Sequence, residues 1–198
     1  MTDRGVPHHF EASYSTTPPW DIGRPQPVFV RVADEGTING TVLDAGCGTG
    51  ENALMLAARG LDVAGFDVAP TAIERAKAKA ADRSLTARFF VWDAQRLTDL
   101  GEQFDTVIDS GLFHVFDDEH RAQYVVGLQA SVKSGGRFVL ACFSDREPGD
   151  WGPRRVRQEE IRASFSDGWR VDSIEAAEFE TNLDPPVAQA WLATITRL

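Results

Sequence analysis

Cysteine is scarce in this chain, cations are outnumbered, and no apolar run is long; each shortage removes a class of protein. Cys47 and Cys142 are the only two thiols among 198 residues. One lies in a glycine-rich loop and the other in an apolar stretch, so both read as small buried residues rather than as a disulfide. Twenty Lys and Arg stand against thirty Asp and Glu, a net charge of −10. Such a surface repels a phosphate backbone, and the densest basic cluster, Arg154, Arg155 and Arg157, has acids on either side. No nucleic-acid partner is expected. The N-terminus lacks a charged start followed by an apolar core, and no stretch approaches the ~20 apolar residues of a membrane span. A cytoplasmic protein without a membrane partner is the expectation. No Cys/His spacing suits a metal, since His8 and His9 are merely adjacent near the terminus. No G-x-S-x-G elbow serves a hydrolase, because Ser110 sits in Asp109-Ser110-Gly111.

What is present points elsewhere. Thr41-Val42-Leu43-Asp44-Ala45-Gly46-Cys47-Gly48-Thr49-Gly50-Glu51-Asn52 is an apolar run, an acid, three glycines at alternate positions and then a helix-forming run to Arg59. Val42 and Leu43 read as a buried strand, and the glycines let the backbone turn sharply and approach a ligand. The helix that follows turns unpaired N–H groups toward the same crevice. No Lys or Arg occurs between Thr41 and Ala58, so the loop suits a zwitterionic or cationic nucleoside better than a pyrophosphate.

The rest of the chain alternates strand-like and helix-like segments, the pattern of a parallel sheet covered on both faces. Strands are predicted at 61–66, 88–92, 104–108 and 138–143, each of the first three followed closely by an acid: Asp67, Asp93 and Asp109. Helices are predicted from Pro70 to Asp82, whose proline suits a first turn, and after Asp117 or Asp118, until Gly135-Gly136 breaks it. Residues 147–157, rich in Gly, Pro and Arg, read as a loop or lid, followed by a short helix at 158–165. Two final strands, 169–181 and 190–196, flank a turn at Asp184-Pro185-Pro186. The first forty residues, with five prolines before Val28, are an extension in which 28–33 can form a helix.

Asp44, Gly46, Gly48 and Gly50 resemble the glycine loop of class I S-adenosylmethionine-dependent methyltransferases. The rival dinucleotide fingerprint places its third glycine where Glu51 stands. The resemblance implies an α/β, single-domain, Rossmann-like class I methyltransferase fold: a seven-stranded, mostly parallel sheet with an antiparallel terminal strand. It divides the chain into an extension over the site, 1–40, and a cofactor-binding domain, 41–198. It also implies S-adenosylmethionine as cofactor, with Asp44 near its cationic group and Asp67 on the ribose hydroxyls. Asp93 and the Ala94 backbone would meet the adenine, with Asn52, Val68 and Asp109 nearby and the Ser110 carbonyl toward the ammonium or methyl group. Three acids in register with the glycine loop carry this inference.

Pro19-Trp20-Asp21-Ile22-Gly23-Arg24-Pro25-Gln26-Pro27 is similar to a segment of the methyltransferases acting on small thiols, halides and heterocycles, including thiopurine-type enzymes. That similarity implies Trp20 against the sulfonium, and Arg24 either fastening the segment or meeting the cofactor carboxylate; an indole face favours a cation and a guanidinium fork fits a carboxylate. Phe113 and His114, in the loop after the fourth strand, would border the cofactor or the acceptor, with His114 a general base or a structural histidine. Phe143, Trp151, Arg154 and Arg155 complete the acceptor side and its lid. The Asn-Pro-Pro-Tyr loop of many amino-group methylases is absent. The expected protein is therefore a methyltransferase using a small-molecule thiol or heterocycle, as a monomer or weak dimer. A nicotinamide-dependent oxidoreductase and a non-catalytic adenosylmethionine-binding regulator are the alternatives.

Overall fold

The computed structural model describes residues 7–198; Met1 to Val6, and the side chains of the His8–His9 pair considered for metal binding, lie outside the description. Seven strands form one sheet: β1 (Thr41–Ala45), β2 (Asp62–Asp67), β3 (Arg88–Val91), β4 (Phe104–Ser110), β5 (Val132–Phe143), β6 (Trp169–Glu180) and β7 (Val187–Arg197). Their order is β3-β2-β1-β4-β5-β7-β6. β1 to β5 pair in parallel, while β7 inserts antiparallel between β5 and β6. Strand order reverses between β1 and β4, so a crevice opens beyond their carboxyl ends, where ligands of open α/β sheets bind.

Both faces of the sheet are covered, which is why its strands read as nearly continuous apolar runs. Consecutive residues fall on opposite faces: Leu43, Val107 and Phe138 join one core cluster, whereas Val42, Ile108 and Val139 join the other. The first face is closed by α5 (Asp118–Ser131) and α6 (Gln158–Ser164) through Tyr124, Leu128 and Ile161. The second is closed by α2 (Pro27–Asp34), α3 (Glu51–Ala58) and α4 (Pro70–Asp82) through Phe29, Leu54 and Ile73. Pro27 and Pro70 each occupy a first helical turn. Asp117 caps α5 by accepting from the His120 N–H at 2.9 Å.

Burial of Val28, Phe29 and Val32 packs α2 on the sheet, as expected of the 28–33 helix. Two details depart from the sequence reading. A helix, α1 (Pro7–Ser13), precedes the strap formed by residues 14–26. Finally, α5 ends at Ser131, not at the glycines: Val132 is already extended and pairs with Phe104, and residues 133–136 form an irregularity before Arg137 rejoins Thr106. Gly135, with φ of +77°, supplies the turn inside that irregularity.

Candidate cofactor and acceptor site

The glycine loop leaves β1 at the switch point. Gly50, with φ of +84°, caps α3 from the left-handed region, and a Cβ there would lie 2.9 Å from Ala76 and Phe89. The loop is braced by Asp67, whose Oδ2 accepts from the Gly48 N–H at 3.0 Å and whose Oδ1 accepts from the Ala69 N–H at 2.9 Å. Burial raises the Asp67 pKa despite these donors. Each of its oxygens retains a second lone pair, enough to receive ligand hydroxyls. Asp93 caps the turn after β3 by accepting from the Gln95 N–H through Oδ1 at 2.9 Å; Oδ2 has no partner among the described residues, and Ala94 beside it is buried. Val68 is half-buried between Asp67 and Ala69.

Asp44 is 1% exposed. Its Oδ2 accepts from the Ala53 N–H at 3.1 Å, but Oδ1 is enclosed without a partner among the described residues. Burial, reinforced by the Asp109 and Asp67 charges, pushes its pKa up to about 7. An orphaned buried carboxylate oxygen is costly, and a cation arriving beside it, directly or through one water, would relieve that cost. The residues therefore fit adenosylmethionine: an unsatisfied acid for its ammonium, lone pairs at Asp67 for hydroxyls, and an unengaged Asp93 oxygen for an amino group.

Asp109 requires correction. Its Oδ1 accepts from the Leu112 N–H at 2.7 Å, and its Oδ2 accepts from the Phe113 N–H and the Tyr124 hydroxyl, both at 3.0 Å. With no exposed surface it staples the loop after β4 and does not face the crevice. Burial raises its pKa too, to about 7, against the opposing donors. Phe113 is likewise a core residue: it has no exposure, stacks on Phe165 at 5.9 Å, and lies under the Arg121 guanidinium. Ser110 ends β4 half-buried beside Gly111.

His114 does reach the acceptor side. Its ring lies 5.0 Å from Phe143 and 6.1 Å from Phe179, edge to face, and Trp151 packs on Phe143 at 5.4 Å. Its Nδ1 accepts from the Phe143 N–H at 3.0 Å. Burial, then the charges of Arg121 and Arg155, lower its pKa to about 3. A general-base role does not survive this geometry, because the lone pair that could take a proton is already engaged.

The arginines organise loops and leave no fork for a substrate. Arg155 donates to the carbonyls of Glu147, Pro148, Trp151 and Pro153, gathering the 147–157 loop around its guanidinium. Arg154 pairs with Asp118 and Glu160, pinning the loop to α5 and α6.

Above the crevice runs the strap. Asp21 accepts from the Thr49 hydroxyl at 2.8 Å, and Lys79 reaches both Thr49 at 2.7 Å and Glu51 at 2.8 Å. Arg83 closes the chain onto Glu51, and the two cations hold the Glu51 pKa low against its burial. At the far end Gln26 exchanges two hydrogen bonds with the Glu180 backbone, and Asn182 bonds Pro19 and Asp21. Arg24 pairs with Glu180 and so fastens the segment. Asn52 accepts from the Gln26 N–H through Oδ1, which makes it an anchor of the strap. Trp20 is 45% exposed and packs edge-on against Phe10 and Tyr14. The aromatic that meets the loop is Tyr14, whose hydroxyl lies 3.1 Å from where a Gly48 Cβ would be. Sequence reasoning missed Tyr14 and Phe179. Tyr14 hides in an irregular extension, and Phe179 has the same local pattern as any alternating strand residue.

Comparison with known proteins agrees with this geometry. The family described as "Methyltransferase domain" matches residues 42–136. A 2-heptyl-1-hydroxyquinolin-4(1H)-one methyltransferase of Mycobacteroides abscessus is 39% identical over 186 residues, covering 88% of this chain and 82% of the relative. A probable thiol methyltransferase 2 of Arabidopsis thaliana is 29% identical, covering 72% of this chain and 64% of its own length. A solved structure described as "Conversion of a Disulfide Bond into a Thioacetal Group during Echinomycin Biosynthesis" superposes with a TM-score of 0.89 at 36% identity, covering 98% of this chain and 92% of that one. The glycine loop, the orphaned Asp44 oxygen and these relatives lead to one conclusion: the chain belongs to the methyltransferase-domain family and is a class I S-adenosylmethionine-dependent methyltransferase.

Proposed function

We propose that this enzyme methylates an oxygen, sulfur or nitrogen of a small aromatic heterocycle or thiol. The observation that carries this reading is the aromatic cluster of His114, Phe143, Trp151 and Phe179 at the carboxyl ends of β5 and β6. A planar aromatic acceptor gains offset and edge contacts against such walls, while an aliphatic one gains neither. The named substrate of the Mycobacteroides relative, a hydroxyquinolone, and the thiol of the Arabidopsis relative's name are acceptors of this kind.

Bound adenosylmethionine supplies the electrophilic methyl group; the chain's own residues bind and align. Asp67 holds the ribose hydroxyls, Asp93 and Ala94 the adenine, and Asp44 the ammonium. Tyr14 and Trp20, within the 1–40 segment, would roof the crevice and keep water out while the acceptor heteroatom is aligned with the methyl group. Thiolates and ionised heterocycles need little help beyond this alignment.

The test is mass spectrometry of the enzyme incubated with isotopically labelled methyl donor and three acceptors: a 1-hydroxyquinolin-4(1H)-one, a thiophenol and an aliphatic amine. Labelled product from either aromatic acceptor, and none from the amine, is expected. Cofactor binding without product from any aromatic acceptor would defeat the reading.

A further inference from the structure

We propose that His114 is fixed as a neutral hydrogen-bond donor, its Nε2–H held toward a lone-pair atom of an anionic acceptor, and that the acceptor therefore arrives already deprotonated. The inference rests on the small aromatic acceptor proposed above and names the chemical class within it: aromatic hydroxyl, N-hydroxy or thiol groups acidic enough to ionise unaided near neutral pH.

The tautomer follows from one bond. Phe143 closes β5, so its N–H is held by the sheet, and it points at His114 Nδ1 from 3.0 Å. A backbone N–H can only donate, so Nδ1 carries the lone pair and the ring proton sits on Nε2. Nε2 has no partner among the described residues and is not among the enclosed unpaired atoms, so it is not sealed off. Gly111, one residue beyond β4, lies directly beneath that edge: a Cβ on it would stand 3.3 Å from both Cε1 and Nε2. Phe143 and Phe179 hold the ring from two sides. The donor thus sits between the end of β4 and the aromatic walls, where an acceptor must lie.

Neither alternative state is available. Taking a proton from the acceptor at Nε2 would require that nitrogen's proton to move to Nδ1, turning two N–H groups against each other at Phe143. Becoming imidazolium would break the same bond, in a buried site where the charged groups acting on the ring are the Arg121 and Arg155 guanidiniums; its other neighbours, Gly111, Phe143 and Phe179, carry no charge. The transfer then balances without any proton movement. The acceptor's lone pair forms the bond to the methyl carbon, the carbon–sulfur bond breaks with its pair staying on sulfur, and the anion and the sulfonium both end neutral. Placing a lone pair against a fixed donor orients the acceptor, and the energetic preference is for one that is charged.

Nitrogen-15 NMR of histidine-labelled enzyme tests the donor state directly, with His114→Gln used to assign the signal. One protonated and one bare ring nitrogen, unchanged from pH 5 to 9, is expected, and 4-nitrophenolate added to the adenosylhomocysteine complex should shift the Nε2 proton. A ring that titrates in that range, or a proton on Nδ1, overturns the proposal, as does an Nε2 proton indifferent to saturating phenolate. In the other arm, kcat/KM is followed against pH for thiophenols of different acidity. The acidic limb should move with each thiol's own pKa, and His114→Asn should lower kcat/KM about 10- to 100-fold without moving that limb, leaving adenosylhomocysteine affinity unchanged. A limb fixed for all thiols and abolished in the variant would establish a base instead. Should no aromatic acceptor turn over, the proposed function fails, while the NMR arm still decides the state of His114.

Discussion

Asp44→Asn probes the site at its most strained point. In the free enzyme this acid is fully enclosed, with one oxygen on the Ala53 N–H and the other without a partner among the described residues. Its pKa stands at about 7 against an ordinary 3.8. At about 1.4 kcal/mol per pH unit, that difference corresponds to about 4 kcal/mol. The sign follows from proton counting. Between pH 4 and 7 the folded protein holds a proton that the unfolded chain has released, so stability declines as pH rises through this window and stays low above it. Asparagine keeps an oxygen for Ala53 and is neutral throughout. The variant should therefore match wild type near pH 4 and exceed it by up to about 4 kcal/mol at pH 8. Asp109 titrates in the same direction in both proteins, so the difference between the two curves reports Asp44 together with its coupling to Asp109. Cofactor affinity should fall in the variant by about 1.5–3 kcal/mol, the worth of a hydrogen bond to a charged group. Near pH 7 the arriving ammonium should also expel up to about half a proton from Asp44, because a neighbouring cation favours the carboxylate. Denaturant titrations at several pH values, and calorimetry in buffers of different ionisation heat, measure all three effects. Undiminished affinity in a folded variant, with no buffer-dependent heat lost, would refute the assignment of Asp44 to the cofactor.

Three further outcomes are expected. Asp21→Ala removes the hydroxyl partner of Thr49 and one neighbour of Lys79, so hydrogen exchange in residues 14–26 should quicken several-fold while global stability drops by about 1 kcal/mol; unchanged exchange would show that the strap does not depend on this latch. Phe113→Ala should cost about 3–5 kcal/mol in denaturant unfolding, since it empties a core position stacked on Phe165, while cofactor affinity in the folded fraction stays within about twofold; a selective loss of binding would return Phe113 to the site. Arg155→Ala releases four loop carbonyls, so exchange across 147–157 should rise and acceptor KM should increase with cofactor Kd unchanged; a loop protected as in wild type would contradict the organising role given to Arg155.

What could be read directly was whatever chemistry the local chain enforces. Glycines at positive φ, prolines in first turns and apolar runs that must be buried on both faces act through neighbours within a few residues, so the strands, the helices and the cofactor loop were legible. The places of Asp67 and Asp93 were legible for the same reason: each stands at or just beyond the end of a strand, and a parallel sheet brings strand ends to one edge. Asp109 has the same local signature and a different fate. Only the packing of α5, which brings the Tyr124 hydroxyl to its carboxylate, turns it inward. Arg155 has the sequence signature of a substrate fork, but its donors are consumed by carbonyls of its own loop. Phe113 was expected beside the acceptor and packs in the core against Phe165, while Phe179, for which nothing was expected, packs against His114 and Phe143, a choice that neither periodicity nor composition encodes.

The sequence by itself therefore determined the glycine loop and the edge of the sheet to which the strand ends come, because spacing along the chain specifies backbone turns and strand ends; the fold family and cofactor class followed from the family that this loop resembles. Tertiary structure alone decided the state of His114, the anchoring of the strap between Thr49 and Glu180, and the isolation of one Asp44 oxygen. The bonds that fix the histidine and the strap join residues from 26 to 163 positions apart, and the enclosure of Asp44 comes from the packing of whole elements around it. The properties that matter there, a tautomer, a latch and a desolvated charge, are set by what lies across the gap and not by what lies next in the chain.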